Sequence, residues 1–189
     1  MRSTDYGKKI GQALDAVIKM HSQVSQLLVD CDGLFQDYVS VFGSYATREL
    51  TYNVKAESWM ADGVYRYWYK TNVPIIAITV IFFRPENTAQ REEPLLLVGQ
   101  IDYNDFDSNH PKEKCNEWDL WWSLTRWGTQ PFRLEEIREL NKPDDRIAKI
   151  ITTAVPLFSI ENFADVKQLF SRVGVRTKPS KVNHAGYVE

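Results

Sequence analysis

The run from residue 75 to residue 83 (IIAITVIFF) constrains the fold of this chain more than any other stretch. A strand made of such residues has no face suited to water, so it must lie inside a sheet that protein covers on both sides. Residues 64–70 precede it and residues 95–103 follow it, and both have the composition of strands. We therefore expect three consecutive strands at the centre of one sheet.

The remaining segments are interpreted as elements that can pack against that sheet. Residues 1–174 are predicted to form a single α+β domain, and residues 175–189 a flexible C-terminal tail. The predicted antiparallel sheet has about five strands, a meander over residues 50–103 and a late strand near residues 150–158. A long N-terminal helix, a Trp-rich helix and a C-terminal helix are expected to pack on it. A length of 189 residues suits one such domain.

The net charge, the length of the apolar runs and the cysteine pattern argue against several classes of partner and cofactor. The net charge of −2, from 23 basic and 25 acidic residues, gives no field that would gather phosphates, so no nucleic acid is expected as a partner. The longest apolar run is too short to cross a bilayer, so no membrane contact is expected. Cys31 and Cys115 belong to no metal-binding pattern and are interpreted as reduced thiols of a cytoplasmic protein without a cofactor.

The N-terminal segment, residues 4–31, carries the clearest helical periodicity. Its apolar positions alternate spacings of four and three residues and fall on one stripe of a helix: Ile10, Leu14, Val17, His21, Val24, Leu28 and Cys31. Such a stripe covers a sheet, or it pairs with another helix, since the average spacing is that of a helix-pairing seam. The sequence thus predicts a protein partner or a homodimer through helix 4–31 as the alternative to packing inside the domain. His21 is interpreted as a core histidine.

A second notable segment is tryptophan-rich, at residues 117–127 (EWDLWWSLTRW). Burial against the sheet is the plain explanation for so much indole on a short helix. Where the cluster is not wholly buried, it is predicted to be a ligand or partner surface with an arginine as its polar handle. The residues of that predicted surface are Trp118, Trp121, Trp122, Arg126 and Trp127.

The segment around Gly43 and Ser44 (VFGSYATRE) resembles the Gly-Ser signature of the minimal nucleotidyltransferases. The resemblance implies that Gly43, Ser44 and Arg48 bind nucleotide phosphates at a turn. That family also has an Asp-x-Asp pair about ten residues later that holds magnesium, and the residues here (LTYNVKAESWMADG) contain none. A degenerate nucleotide-binding protein is therefore an alternative function, and a simple turn is the structural alternative.

The acidic segment after residue 103 has part of a calcium-loop pattern. Asp105, Asp107 and Asn109 have the required spacing, but His110 stands where the pattern needs glycine, and Glu117 falls one position late. We therefore expect a solvated acidic turn here and assign no metal ligand.

Several shorter segments carry local predictions. Residues 61–63 (Ala-Asp-Gly) are predicted to be a hairpin turn, and residues 134–140 (LEEIREL) a short exposed helix. Residues 146–160 are predicted to begin as a helix and end as the late strand. Ser159 is expected to cap the final helix, and Gly174 to end it.

No set of a nucleophile with a base is recognisable, and the three histidines are scattered. The sequence therefore favours a non-catalytic module that binds a protein partner, or itself, or a small ligand.

Overall fold

A computed structural model describes residues 3–42, 47–50, 61–82, 93–125 and 133–177 of the chain. The described helices are α1 (Ser3–Leu34), α2 (Pro111–Lys114), α3 (Asp119–Thr125) and α4 (Phe163–Arg172). The described strands are β1 (Val39–Ser40), β2 (Thr47–Leu50), β3 (Ala61–Tyr69), β4 (Ile75–Ile81), β5 (Leu95–Tyr103), β6 (Arg138–Asp144) and β7 (Ile147–Pro156).

All pairs in the sheet are antiparallel, which confirms the predicted α+β class. The strand order is β1-β3-β4-β5-β7-β6, and β2 also pairs with β3. The described part of the chain thus contributes seven strands, where the sequence predicted about five. The strands β1 and β6 were not predicted, and β2 overlaps the meander predicted over residues 50–103 only at Leu50, because residues 51–60 lie outside the described residues.

β4 lies at the centre, and all seven of its residues are buried. Its side chains alternate between two cores, one on each face of the sheet. The first core contains Ile76, Ile78 and Val80 together with residues of α1 and α4. The second core contains Ile75 and Ala77 together with residues of α3. The expectation that this strand is covered on both sides is confirmed.

The predicted hairpin turn at residues 61–63 is wrong, because these residues open β3. Gly63 is paired with Ile81, and a Cβ on it would lie 2.5 Å from the carbonyl oxygen of Val80. The glycine therefore permits a close approach between strands.

The predicted helix at residues 134–140 is also wrong, because β6 begins at Arg138 and pairs with β7. Leu140 packs on the second core, so pairing and burial override the helical preference of the segment. The same pairing explains why residues 147–156 are strand throughout, although the first half of that segment was expected to be helical.

The C-terminal helix has the expected apolar face, with Val166, Phe170 and Val173 buried in the first core. Gly174 follows it with φ +81°, as predicted. The predicted cap is wrong, since Asn162 accepts a hydrogen bond from the Ala164 backbone N–H. Ser159 instead donates its hydroxyl proton to the Pro156 carbonyl.

The C-terminal end of the domain is described up to residue 177. Val175 is 6% exposed and belongs to the first core. Residues 178–189 lie outside the described residues, so the predicted tail and the boundary at residue 174 stay predictions. None of the described helices has the length and apolar character needed to cross a membrane.

Candidate functional site

Helix α1 has two halves with different surroundings. We call residues 21–34 the inner half and residues 7–20 the outer half. The inner half packs on the sheet through Val24, Leu28 and Cys31, which are 4%, 2% and 0% exposed. These side chains join the first core beside α4. The second half of the predicted stripe is therefore explained by packing inside the domain.

A polar contact fixes the end of the inner half to strand β3. Asp32 accepts two hydrogen bonds from Arg66, at 3.1 and 2.5 Å, and one from the indole N–H of Trp68 at 2.8 Å. The Arg66 side chain is only 3% exposed. A buried guanidinium needs such a carboxylate, so Asp32 determines where α1 meets the sheet.

The outer half carries Ile10 and Leu14 of the predicted stripe, and the neighbouring Ile18, without that cover. Ile10 is 50% exposed, Leu14 58% and Ile18 64%, and Val29 on the inner half is 58% exposed. Half of the large exposed apolar side chains in the described part of the chain lie on α1. We call the following set the exposed row, because each member comes three or four positions after the last: Ile10, Leu14, Ile18, Ser22, Ser25 and Val29.

A groove of about 580 Å³ lies beside α1 between Val17 and Val29. Two of the side chains that line it, Ser22 and Ser25, are small and polar. Ser22 donates its hydroxyl proton to the Ile18 carbonyl, which turns its polar group back onto the helix. The described residues of its lining are Val17, Ile18, His21, Ser22, Ser25, Gln26 and Val29.

The opposite face of α1 is polar or small and exposed, with Gln12, Ala16, Lys19 and Gln23. α1 is thus amphipathic, as helices that bury one face usually are. The large apolar side chains of its outer half are nevertheless exposed.

His21 lies where the two halves meet and is half-buried. Its ring lies 4.6 Å from the ring of Phe82, centroid to centroid, at an interplanar angle of 46°. The prediction of a histidine in a packing role agrees with this contact.

The Trp-rich segment lies on the other face of the sheet. Trp118, Trp121 and Trp122 are half-buried, and the first two pack against the second core. Arg126 and Trp127 lie outside the described residues. Burial therefore accounts for part of this indole surface, and its use as a ligand or partner surface stays a prediction.

A buried network holds α3 on the sheet. The fully buried Asp119 accepts hydrogen bonds from the Tyr103 hydroxyl at 2.5 Å and from Arg146 at 3.2 Å. It also accepts one from the Asn116 backbone N–H at 3.0 Å, just before the helix begins. Tyr67 donates its hydroxyl proton to the Glu117 carbonyl at 3.2 Å.

Burial governs the protonation of this network. It raises the pKa of Asp119, against the opposing effect of the Tyr103 hydrogen bond, and it raises the pKa of Cys115 to about 12. Burial also raises the pKa of Tyr67 and of Tyr103, and the charge of Asp119 adds to both shifts. A thiol and two phenols held in their protonated forms are poor nucleophiles. The arrangement is suited to fastening α3 onto the sheet.

The predicted nucleotide-binding turn falls largely outside the described residues. Gly43 and Ser44 are not among them, and of Arg48 only the backbone is described, in β2. The alternative nucleotide-binding function therefore stays a prediction.

The acidic loop forms contacts within itself. Asp107 accepts hydrogen bonds from the Asn109 backbone N–H at 2.8 Å and interacts with the His110 ring at 2.9 Å. The pKa of Asp107 is lowered by its hydrogen bond to His110, and the pKa of His110 is raised by the same bond. No group of three or more potential metal ligands occurs among the residues that the structure describes.

Sequence reasoning missed two features of α1. Ile18 and Val29 were left out of the predicted stripe, although both are large apolar residues on the flank of that stripe. The contact of Asp32 with Arg66 was also missed. The sequence signal was Arg66, which shares a strand face with Val64 and Trp68. A charged side chain on such a face needs a partner when the face is buried.

We found no family model, curated protein or solved structure that matches this chain. The candidate site is therefore defined by its own geometry.

Proposed function

We propose that this protein is a non-catalytic module that binds another protein through the exposed row of α1. The observation that carries the proposal is the exposure of Ile10, Leu14 and Ile18 on one face of a long helix. Large apolar side chains grouped on a soluble surface are typical of protein contact sites, because their contact with water is unfavourable.

The form of the surface favours a helix as the partner element. The exposed row extends over about 30 Å of α1, at about 1.5 Å per residue, and its side chains recur at the spacing that a second helix can interdigitate with. An amphipathic helix that lies along such a row buries several apolar side chains at once. A compact small ligand would cover only a short part of the row.

The outer half of α1 gives a second reason to expect a partner. Helical segments of this length have little stability in water on their own, and most helices are stabilised by packing of an apolar face. The outer half has an apolar face but little packing within the described domain. A docked protein would supply the missing contacts.

The cysteines support the predicted cytoplasmic location. Cys31 and Cys115 are buried and form no disulfide, and burial raises the pKa of both thiols. Such inert thiols are suited to a reducing compartment.

Site-specific photo-cross-linking in living cells tests the proposal. A benzophenone side chain placed at Leu14 or at Ile18 should produce a discrete cross-linked protein adduct. The matched controls are Gln12 and Gln23, which are also exposed but lie on the opposite face of α1. Adducts from the exposed row alone support the proposal, and equal adducts from both faces, or none, contradict it.

A further inference from the structure

We infer that α3 and the edge strand β6 form one cooperative unit, which opens as a whole while the central strands stay folded. Folded proteins commonly open in such units, and the units that open are drawn from the less stable parts of the structure. The inference is independent of the proposed docking surface, because α1 and α3 belong to different cores on opposite faces of the sheet.

Neither element is well supported when it is considered alone. α3 has seven residues, and a helix of that length has little stability in water without packing. β6 is the last strand in the order of the described sheet, where it pairs with β7. All seven of its residues are half-buried or exposed, and its register with β7 is interrupted between Asn141 and Asp144. Each element therefore depends on further contacts.

Two arginines of the hairpin formed by β6 and β7 hold both ends of α3. Arg138, the first residue of β6, donates a hydrogen bond to the Leu124 carbonyl in the last turn of α3 at 3.1 Å. A cation is favourable there, because the last carbonyls of a helix lack partners within the helix. Arg146, in the turn after β6, donates to Asp119, the first residue of α3, at 3.2 Å.

The position of Arg146 depends in turn on β6. Its guanidinium also donates to the carboxylate of Asp144, the last residue of that strand, at 2.9 Å. Asp144 fixes the turn as well, since it accepts the backbone N–H groups of Arg146 and Ile147 at 2.8 and 3.0 Å. Opening of β6 therefore takes away the cation that faces the fully buried Asp119. A buried carboxylate without its cation is unfavourable, so α3 is expected to open with the strand.

Apolar contacts join the same two elements. Leu140 of β6 packs on the second core, which also contains Leu120 and Leu124 of α3. These two leucines are 0% and 3% exposed. Opening of the unit uncovers them together with the packed faces of Trp118 and Trp121. The unit thus conceals an apolar surface that the closed protein does not present.

Other contacts set the limit of the unit. The Glu135 backbone N–H donates to the Ala154 carbonyl at 2.8 Å, and the Thr153 hydroxyl donates to the Glu136 carbonyl at 3.0 Å. The segment before β6 is therefore attached to β7 independently of α3. β7 pairs with β5 along almost its whole length, so it remains in the sheet when β6 opens.

Native-state amide hydrogen exchange of the purified chain, in increasing concentrations of urea below the unfolding transition, tests the inference. The protected amides of α3 and of β6 should share one free energy of opening, lower than that of the β4 amides. Values that differ between α3 and β6, or that both equal the value for β4, overturn the inference.

The Tyr103→Phe variant tests the coupling between the two elements. It removes the hydroxyl group that donates to Asp119 of α3, and Tyr103 lies on β5 rather than on β6. Exchange should become about tenfold faster in α3, and by the same factor in β6, because a hydrogen bond to a charged group is lost. Exchange in β6 that stays at the wild-type rate overturns the inference.

Asp32→Ala is the matched control, because it acts on the opposite face of the sheet. It breaks the contact with Arg66 of β3, which stays in place when the unit opens. The variant should therefore exchange faster at the β4 amides, which require global unfolding, and at the wild-type rate in α3 and β6. Faster exchange in α3 and β6 of this variant overturns the inference.

Discussion

The two halves of α1 share one helix and one periodic stripe but have opposite surroundings. Leu28 of the inner half is 2% exposed, and Leu14, two heptads earlier, is 58% exposed. The inner half is fixed by the first core and by the contact of Asp32 with Arg66. The outer half has neither.

The comparison teaches that periodicity indicates which residues share a face but not what covers that face. A stripe of this kind is satisfied by a sheet, by another helix, or by each along part of its length. In α1 the sheet covers the inner half, and we propose that another protein covers the outer half.

The largest effect is expected from a matched pair of leucine substitutions. Leu28→Ala should lower the free energy of unfolding by about 3 kcal/mol, since it removes a buried side chain and leaves a cavity. Leu14→Ala should change it by less than about 0.5 kcal/mol. Urea denaturation at the lowest usable protein concentration measures both without a contribution from association. Equal losses would contradict the division of α1.

A second pair compares two aspartates. Asp32→Ala should cost about 2 kcal/mol, because the buried Arg66 and the Trp68 indole lose their acceptor, while water compensates in part at this half-exposed position. Asp15→Ala on the outer half should change the stability by less than about 0.5 kcal/mol. Thermal and urea unfolding of both variants check this, and an Asp32→Ala variant as stable as the wild type would exclude the proposed contact.

His21 locates the boundary between the halves. His21→Ala should cost about 1 kcal/mol, since the ring is half-buried against Phe82. His21→Leu fills the same space and should stay within about 0.5 kcal/mol of the wild type. A large loss in the leucine variant would show that the ring nitrogens matter, and it would contradict the packing role.

The central part of the fold could be predicted from the sequence. A run such as residues 75–83, apolar apart from Thr79, leaves few options, and the strands on either side follow from their alternation. The errors lie where local preference and tertiary pairing disagree. Residues 134–140 have the composition of a helix, but residues 138–140 pair with β7 as the start of the edge strand β6.

The candidate site was predictable only in outline. The sequence placed an amphipathic helix at residues 4–31 and raised self-association as one of two explanations. It could not show that the first core covers the inner half and leaves the outer half exposed. That division depends on the contact of Asp32 with Arg66, which lies 34 residues later. The role of the Trp-rich segment is likewise decided by tertiary packing.

Amide hydrogen exchange along α1 of the purified chain tests the central claim most directly. We predict that the inner half is strongly protected and that the outer half exchanges much faster. Leu14→Lys should leave the protection of the inner half unchanged. An outer half as strongly protected as the inner half, or an inner half that exchanges as fast as the outer half, would contradict the account.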